Sequence, residues 1–388
     1  MKSSPLLLLF IVSWTGMLGA QVPTGQATEP AASGAVTVSG AIIADGTRNP
    51  IPYSTVRLQP LGRERFTDRA GSFVYFSIAP GLYELQVRML GYLPLDTAIF
   101  VEANVPQALT IVLTRIPTSL DEVQVTAPPR LCHFPDEMGA VSDPELATVL
   151  DEARKNAQRE QLLRRTYPFE YRLAQSHDTY DVVRKASSLR YDTVTFRSDD
   201  TWRYRRGRVV TDEHNRLFGN VRLMRLPTLS DLADRNFLSS HCFKYSGVVD
   251  EGGRSAHRID FYSDSTLMKP DVEGSIFLDS ATYLIKRAQF RLTRGSSVKP
   301  AILGMEVTTT YREILPNVAL FDEIHSVQPL GVLQSSGNRV ESREVQKLLE
   351  YRFLYGGPPG TTGHKWISAA VAATEPKPAV KGSRGPSQ

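Results

Sequence analysis

The apolar residues of this chain keep a spacing of two over most of its length, and one stretch of helical spacing interrupts them. From Val36 to Thr114 the pattern is a series of short β-type runs separated by Gly and Pro, with no helical period. A single helical stripe follows, and then the period of two returns and holds to Tyr355. Strand side chains alternate between faces while helical neighbours recur three and four residues apart, so neither pattern can fold as the other. The chain is therefore read as mainly β: an N-terminal antiparallel β-sandwich, then an α+β domain with one helix and a large curved antiparallel sheet. Its 388 residues suffice for about two domains.

Within the first unit, Tyr83, Leu85, Val87 and Met89 alternate with Leu82, Glu84, Gln86 and Arg88, and Leu109, Ile111 and Leu113 repeat the pattern in the last strand. Six or seven such strands in about 80 residues predict a small sandwich. Val38-Ser39-Gly40, Pro52 before Ser54-Thr55-Val56, Asp68-Arg69-Ala70-Gly71-Ser72-Phe73, Pro80-Gly81-Leu82-Tyr83 and Gly91-Tyr92 stand in the order of a known module. At these residues the chain resembles the carboxypeptidase regulatory-like domain, a transthyretin-like sandwich of bacterial envelope proteins. The resemblance implies a binding or supporting role. Asp68 and Gly71 are expected to shape a turn, and Phe73 and Tyr83 to fill the core. Leu120 to Ala127 looks like the segment that joins this domain to the plug of TonB-dependent receptors. The 261 residues after it are too few for plug and barrel, so the receptor function is not carried over.

The helix is expected from the capping box Ser142-Asp143-Pro144-Glu145, with Ser142 as the cap, to about Tyr167 before Pro168. Leu146, Val149, Leu150 and Ala153 form its apolar stripe, extended by Ala157 and Leu162. Glu152, Arg154, Lys155, Arg159 and Glu160 fall mainly on the side expected to face water. Strand patterns then include Phe169 to Ala174, Asp181 to Tyr191, His257 to Tyr262, a hairpin from Gly274 to Ile285, Met305 to Tyr311 and Arg339 to Tyr355. This meander resembles the half-barrel of periplasmic lipoprotein and lipid carriers, through Gly274 to Ile285 and the strand pair around Tyr311-Arg312-Glu313-Ile314. Such a sheet can hold an acyl chain, although the same alternation serves any half-buried sheet.

Residues 1–20 have the charge, short apolar run and small-residue exit of a secretory signal, with cleavage after Ala20. The expected organisation is signal peptide 1–20, flexible linker 21–35, sandwich 36–115, connector 116–141, helix-plus-sheet domain 142–356 and disordered tail 357–388. No later stretch is long and apolar enough to span a membrane. Export places the protein in the periplasm or at the outer-membrane periphery of a Gram-negative bacterium, where Cys132 and Cys242 are expected to form a disulfide. Zinc held by Cys132, His133, His241 and Cys242 is the sharper alternative and free thiols a third, but neighbours on a strand point to opposite faces. The net charge of +4 arises from Lys2 and from Lys365, Lys377, Lys381 and Arg384 against Glu375, which leaves residues 3–363 neutral and gives no nucleic-acid footprint.

A search for chemistry returns little. No His has Glu three residues later, His257 reads as a strand residue, and neither a Gly-x-Ser-x-Gly elbow nor a Walker loop is present. Ser296-Ser297-Val298-Lys299 sits in a Gly/Ser/Pro loop. The pairs Asp199-Asp200 and Asp212-Glu213 border turns. Trp202-Arg203-Tyr204-Arg205-Arg206-Gly207-Arg208 interleaves aromatics with cations, which makes Trp202, Tyr204, Arg203 and Arg205 the candidate ligand contacts, for a lipid or anionic headgroup. On a strand Arg203 and Arg205 would share one face and Trp202, Tyr204 and Arg206 the other. The reading is a non-enzymatic envelope protein without cofactor or metal that binds an envelope protein or glycan, or acts as a structural accessory. A carrier of a lipid or other hydrophobic ligand in the second domain is the alternative, and a hydrolase with a dispersed site the second alternative.

Overall fold

The computed structural model describes residues 34–117, 132, 143–199, 203–215, 219–298, 301–302, 304–332, 339–361 and 363–369. The expected leader, most of the linker, Ser142, Trp202 and residues 370–388 lie outside this set. Seven strands make the first unit: β1 (Val36–Ala44), β2 (Thr55–Gln59), β3 (Arg63–Phe66), β4 (Ser72–Ile78), β5 (Gly81–Arg88), β6 (Leu95–Val101) and β7 (Gln107–Leu113). They form two sheets, ordered β4-β1-β7 and β3-β2-β5-β6. Every pair is antiparallel except β1 with β7, which runs parallel. Val38, Ile42, Val56, Leu58, Phe73, Tyr75, Tyr83 and Leu85 fill the space between the sheets. In the turn before β4, Asp68 Oδ1 accepts from the amides of Ala70 and Ser72. Gly71 takes a φ of 72° there, and a Cβ on it would lie 2.6 Å from the Ile42 carbonyl oxygen, so only glycine fits.

The second unit begins with α1 (Pro144–Thr166). Asp143, one residue later than expected, is the cap: its Oδ1 accepts from the amides of Glu145 and Leu146, both at 3.0 Å. Then come β8 (Phe169–Asp181), β9 (Ala186–Arg197), β10 (Val210–Asn215) and β11 (Gly219–Met224). A 3-10 turn at Leu229–Ala233 and the short α2 (Arg235–Leu238) lead into β12 (His241–Asp250) and β13 (Ser255–Ser263). The chain ends in β14 (Asp271–Asp279), β15 (Ile285–Thr293), β16 (Glu306–Leu315), β17 (Val318–Val332), β18 (Arg339–Phe353) and β19 (Ile367–Ser368). Ten strands form one antiparallel sheet ordered β12-β13-β14-β15-β16-β17-β18-β8-β9, with β19 beside the end of β18.

Three expectations change. The run Asp181 to Tyr191 is not one strand, because Asp181 Oδ1 accepts from the amides of Val183 and Arg184 and folds residues 182–185 into a hairpin turn. Residues 357–361 and 363–369, expected as tail, are part of the fold. Tyr53 Oη donates to the Pro359 carbonyl at 3.0 Å, the Arg172 and Arg352 guanidiniums lie over the Trp366 ring, and Ala369 is buried. The third change concerns the polar side of α1: Glu152, Lys155, Arg159 and Glu160 are buried, and of the five charged residues expected in water Arg154 is the one that stays exposed.

The helix is covered on two sides because both units pack on it, and a strip with Arg154, Gln158 and Arg165 stays exposed. Leu146, Val149, Ala153 and Ala157 join Ile259, Phe261, Ile276 and Ala288 of the large sheet, together with Leu229, Leu232 and Phe237. Leu162 and Leu163 meet Phe169, Leu320 and Phe353 on one side and Tyr53 and Phe66 of the sandwich on the other. The charged residues complete the joint with main-chain partners. Glu152 Oε2 accepts from the Gly91 amide at 2.9 Å, and Lys155 Nζ donates to the Tyr92 carbonyl at 2.9 Å and to Glu152 Oε1 at 2.6 Å. Arg159 donates to the Tyr53 carbonyl and to the Asn317 carbonyl, each at 2.7 Å. Asn156 donates to the Tyr283 carbonyl and accepts from the Ile285 amide. Burying such groups is tolerable only because each is answered.

Cys132 and Cys242 form a disulfide with Cα atoms 5.7 Å apart, closing a separation of 110 residues. Of the two histidines in the zinc alternative, His133 lies outside the described residues, and His241 has its Nδ1 and Nε2 2.9 and 3.0 Å from the carbonyls of Phe237 and Val272.

Two outcomes follow for stability. Arg159→Leu strips the donor from the buried Tyr53 carbonyl and the partly buried Asn317 carbonyl and is expected to cost about 2–5 kcal/mol in urea denaturation. In calorimetry the native protein is expected to unfold in one transition and the variant in two, as the sandwich loosens from the helix. Replacing both cysteines by Ser is expected to lower the unfolding free energy by up to about 4–5 kcal/mol, and an unchanged midpoint in non-reducing buffer would show that the cross-link contributes nothing.

Candidate functional site

Where the sandwich meets the hairpins of the large sheet, the joint leaves an open cleft of about 740 Å³. Its walls are the β1–β2 connection (Asp45, Thr47, Asn49, Pro50), the start of the β5–β6 connection (Met89 to Tyr92) and the segment after β7 (Arg115 to Pro117). The β14–β15 turn (Ala281 to Tyr283) and Asn317 close the far side. Each wall is a loop anchored on rigid strands, which is where folds commonly carry binding residues.

The floor is apolar and the rim polar. Ile51, Met89, Leu90 and Tyr92 are buried, while Asp45, Thr47, Asn49, Arg115 and Thr282 are exposed. Arg115 Nε donates to Tyr92 Oη at 3.2 Å, which holds the guanidinium at the mouth. Asp45 is the one carboxylate among the lining residues and Arg115 the one cation. No lining residue is a Ser, Cys, His or Lys; the cleft offers hydrogen-bonding groups, among them the hydroxyls of Thr47 and Thr282, around an apolar base. Its volume suits a small ligand or a short peptide or sugar segment.

Beneath the cleft, Tyr283 stacks on His257 with ring centroids 5.0 Å apart. His257 is buried in β13 as its strand pattern predicts, and its Nδ1 meets Tyr245 Oη at 2.9 Å. Burial holds the imidazole below its usual range, and the same cause lowers His241. Burial pushes the Glu152 carboxyl up against the pull of Lys155 and the Gly91 amide. A second, smaller concavity of about 300 Å³ lies between α1 and the outer face of β2 and β5, lined by Arg57, Glu64, Arg88, Gln158, Gln161 and Arg165. Its arginines already have carboxylates: Glu64 takes Arg57 at 3.5 Å and Arg165 at 2.8 Å, and Asp96 takes Arg88 at 2.6 Å.

The aromatic and basic run lies elsewhere. Residues 203–208 form a loop rather than a strand. Tyr204 is 1% exposed, packs on Phe237 and His241, and gives its hydroxyl to Asp271 at 2.8 and 2.9 Å. It is a core residue, because a phenol that bonds a buried carboxylate has no reach to a ligand at the surface. Arg203 and Arg205 are exposed, and Arg206 pairs with Asp264. The cleft residues carry no motif of their own and come from five separate segments; Pro52 and Gly91-Tyr92 were marked beforehand, as positions that carry the resemblance of the first unit.

The fold is that of a two-part chain, a β-sandwich fixed through one helix to a large antiparallel sheet. Residues 37–114 match the family model of the carboxypeptidase regulatory-like domain. No curated protein matches the chain. Among solved structures, the chain is similar to one in a type II cohesin–X-dockerin complex from Acetivibrio cellulolyticus, at 28% identity over 20% of this chain with a TM-score of 0.18. It spans 56% of that chain's length. A DUF1329 family protein from Desulfovibrio piger is similar at 10% identity, covering 54% of this chain and 94% of that one, with a TM-score of 0.31. A LolA superfamily protein from Nitrosomonas europaea is similar at 12% identity, covering 55% and 94%, with a TM-score of 0.28. No helix among the described residues is long and apolar enough to cross a membrane.

The lowered histidines set a pH dependence. A His whose folded pKa lies below its unfolded value stabilises fully above the unfolded value of 6.5, and that contribution is lost as the pH falls below it. The unfolding free energy is expected to drop faster between about pH 6.5 and 5 in the native chain than in His257→Phe, by up to about 1.4 kcal/mol per pH unit. Parallel profiles from urea titrations would show that His257 does not titrate differently on folding.

Proposed function

We propose that the chain is an exported protein of the Gram-negative envelope that acts by binding an envelope polypeptide or glycan, as an accessory or structural module. The observation that carries this reading is the cleft at the joint: polar groups of both signs ring an apolar floor, on loops held by strands of two units. The secretory pattern of residues 1–20 and the disulfide support the compartment. Arg203 and Arg205, exposed on a loop away from the cleft, are proposed as contacts to anionic headgroups at the membrane surface. Carriage of a lipid is the rival reading. Against it, side chains of α1 and of residues 229–238 occupy the apolar side of the large sheet.

Native mass spectrometry of the protein recovered from its own envelope, before and after organic extraction, separates the two. A mass unchanged by extraction is expected, and a discrete lipid adduct would replace the binding reading with carriage. Calorimetric titration with soluble peptidoglycan fragments and envelope peptides should then find a ligand whose affinity falls at least about tenfold in Asn49→Trp, which fills the cleft. A ligand bound equally by both proteins would remove the cleft from the function.

A further inference from the structure

Strand β9 ends the large sheet, and nothing among the described residues pairs with its outer edge. Its first eight residues, 186 to 193, are exposed on both faces. Its register with β8 runs without a bulge from Arg197 opposite Glu170 to Ala186 opposite Asp181. Main-chain groups of an antiparallel strand point alternately to its two sides. The Thr193 amide donates to Oδ1 of Asp192, its own neighbour, at 2.7 Å. Thr193 and the other odd-numbered residues, Leu189 and Tyr191 among them, therefore aim N–H and C=O at the open edge, a template for another strand.

The sequence at this edge complements itself when reversed. With Tyr191 opposite the same residue of a second, antiparallel copy, Arg190 stands opposite the copy's Asp192, and Asp192 opposite its Arg190. These even-numbered positions are the pairs without main-chain bonds, in which Cα atoms come within about 4.5 Å and side chains lie closest. On the other face, Leu189 and Tyr191, 53% and 76% exposed, gather with the same two residues of the copy. Centring the pair on Leu189 or Thr193 instead leaves both charges without partners. Centring it on Arg190 or Asp192 sets like charges face to face.

We propose that β9 pairs edge to edge with β9 of a second copy of this chain, giving a two-fold dimer whose register is fixed by two Arg190–Asp192 ion pairs. On pairing, the Asp192 carboxylate leaves the Thr193 amide for the copy's Arg190, and that amide passes to the copy's Leu189 carbonyl. This dimer is independent of the cleft and of its ligand.

Sedimentation of the full mature chain tests it. The native protein is expected to be a reversible dimer at about 100 µM. Arg190→Asp and Asp192→Arg alone should each weaken it at least about tenfold, by setting like charges opposite, and the double reversal R190D/D192R should restore it. Tyr191→Cys adds the one free thiol to a chain whose cysteines are bonded. It should cross-link two copies on oxidation, because bonded pairs hold Cα atoms about 5.5 Å apart. All three positions are exposed, and unchanged melting will show that each variant folds. A native protein that stays monomeric at that concentration overturns the proposal, as does a dimer that either single reversal leaves intact or that the double reversal fails to restore.

Discussion

Arg159 leaves one helix to bond two carbonyls that belong to different parts of the molecule, Tyr53 in the sandwich and Asn317 in the β16–β17 turn. With Glu152, Lys155 and Asn156 it turns what looks like the solvent side of α1 into the joint of the structure. The partners are mostly main-chain atoms, whose positions are set by strands rather than by rotamers. Moving the sandwich relative to the sheet therefore strands several polar groups in a dry interior at once, and each costs more to leave unmatched than it gains when matched. The joint is specific in place and angle, and the cleft beside it inherits that specificity, since its walls come from the elements the helix holds together.

Much of this fold is legible in the sequence because most of it depends on local periodicity. The sandwich strands, the helix and the hairpin at Gly274 to Ile285 follow directly from apolar spacing and turn residues. What escaped depends on tertiary neighbours. β12 was not expected, because His241, Lys244 and Gly247 break its alternation; its side chains answer to β13 and to the disulfide. The polar side of α1 was expected to be wet because periodicity separates two faces without saying what covers the second. Charge on a helix is normally a sign of water, and here it is a sign of the Asn317 carbonyl 158 residues further along the chain, and of the Tyr53 and Tyr92 carbonyls in sandwich loops 106 and 63 residues before it.

The candidate site was the least legible part. Of the residues marked as ligand contacts, Tyr204 is consumed by the core, and the two exposed arginines lie on a loop apart from the cleft. The cleft is assembled from unremarked loop residues such as Asn49, Arg115 and Thr282, which acquire meaning only through proximity. A motif search finds sites whose chemistry demands a fixed spacing. Binding at a joint makes no such demand, so it leaves no local trace.

The order of strands in the large sheet carries one more consequence, for how the chain comes into being. β8 and β9 are made first, yet their neighbour in the sheet is β18, and the Arg172–Glu350 contact spans 178 residues. Until the last long strand arrives, the early hairpin has no partner on its inner flank, and the helix has only part of the sheet to lie on. A chain emerging from its N-terminal end can complete the sandwich as soon as β7 is available, but must hold its second half open until nearly all of it has been delivered. High sequence separation of this kind slows folding and leaves strand edges bare in the interval. The early half of the sheet is thus the part that most needs protection while the chain is incomplete.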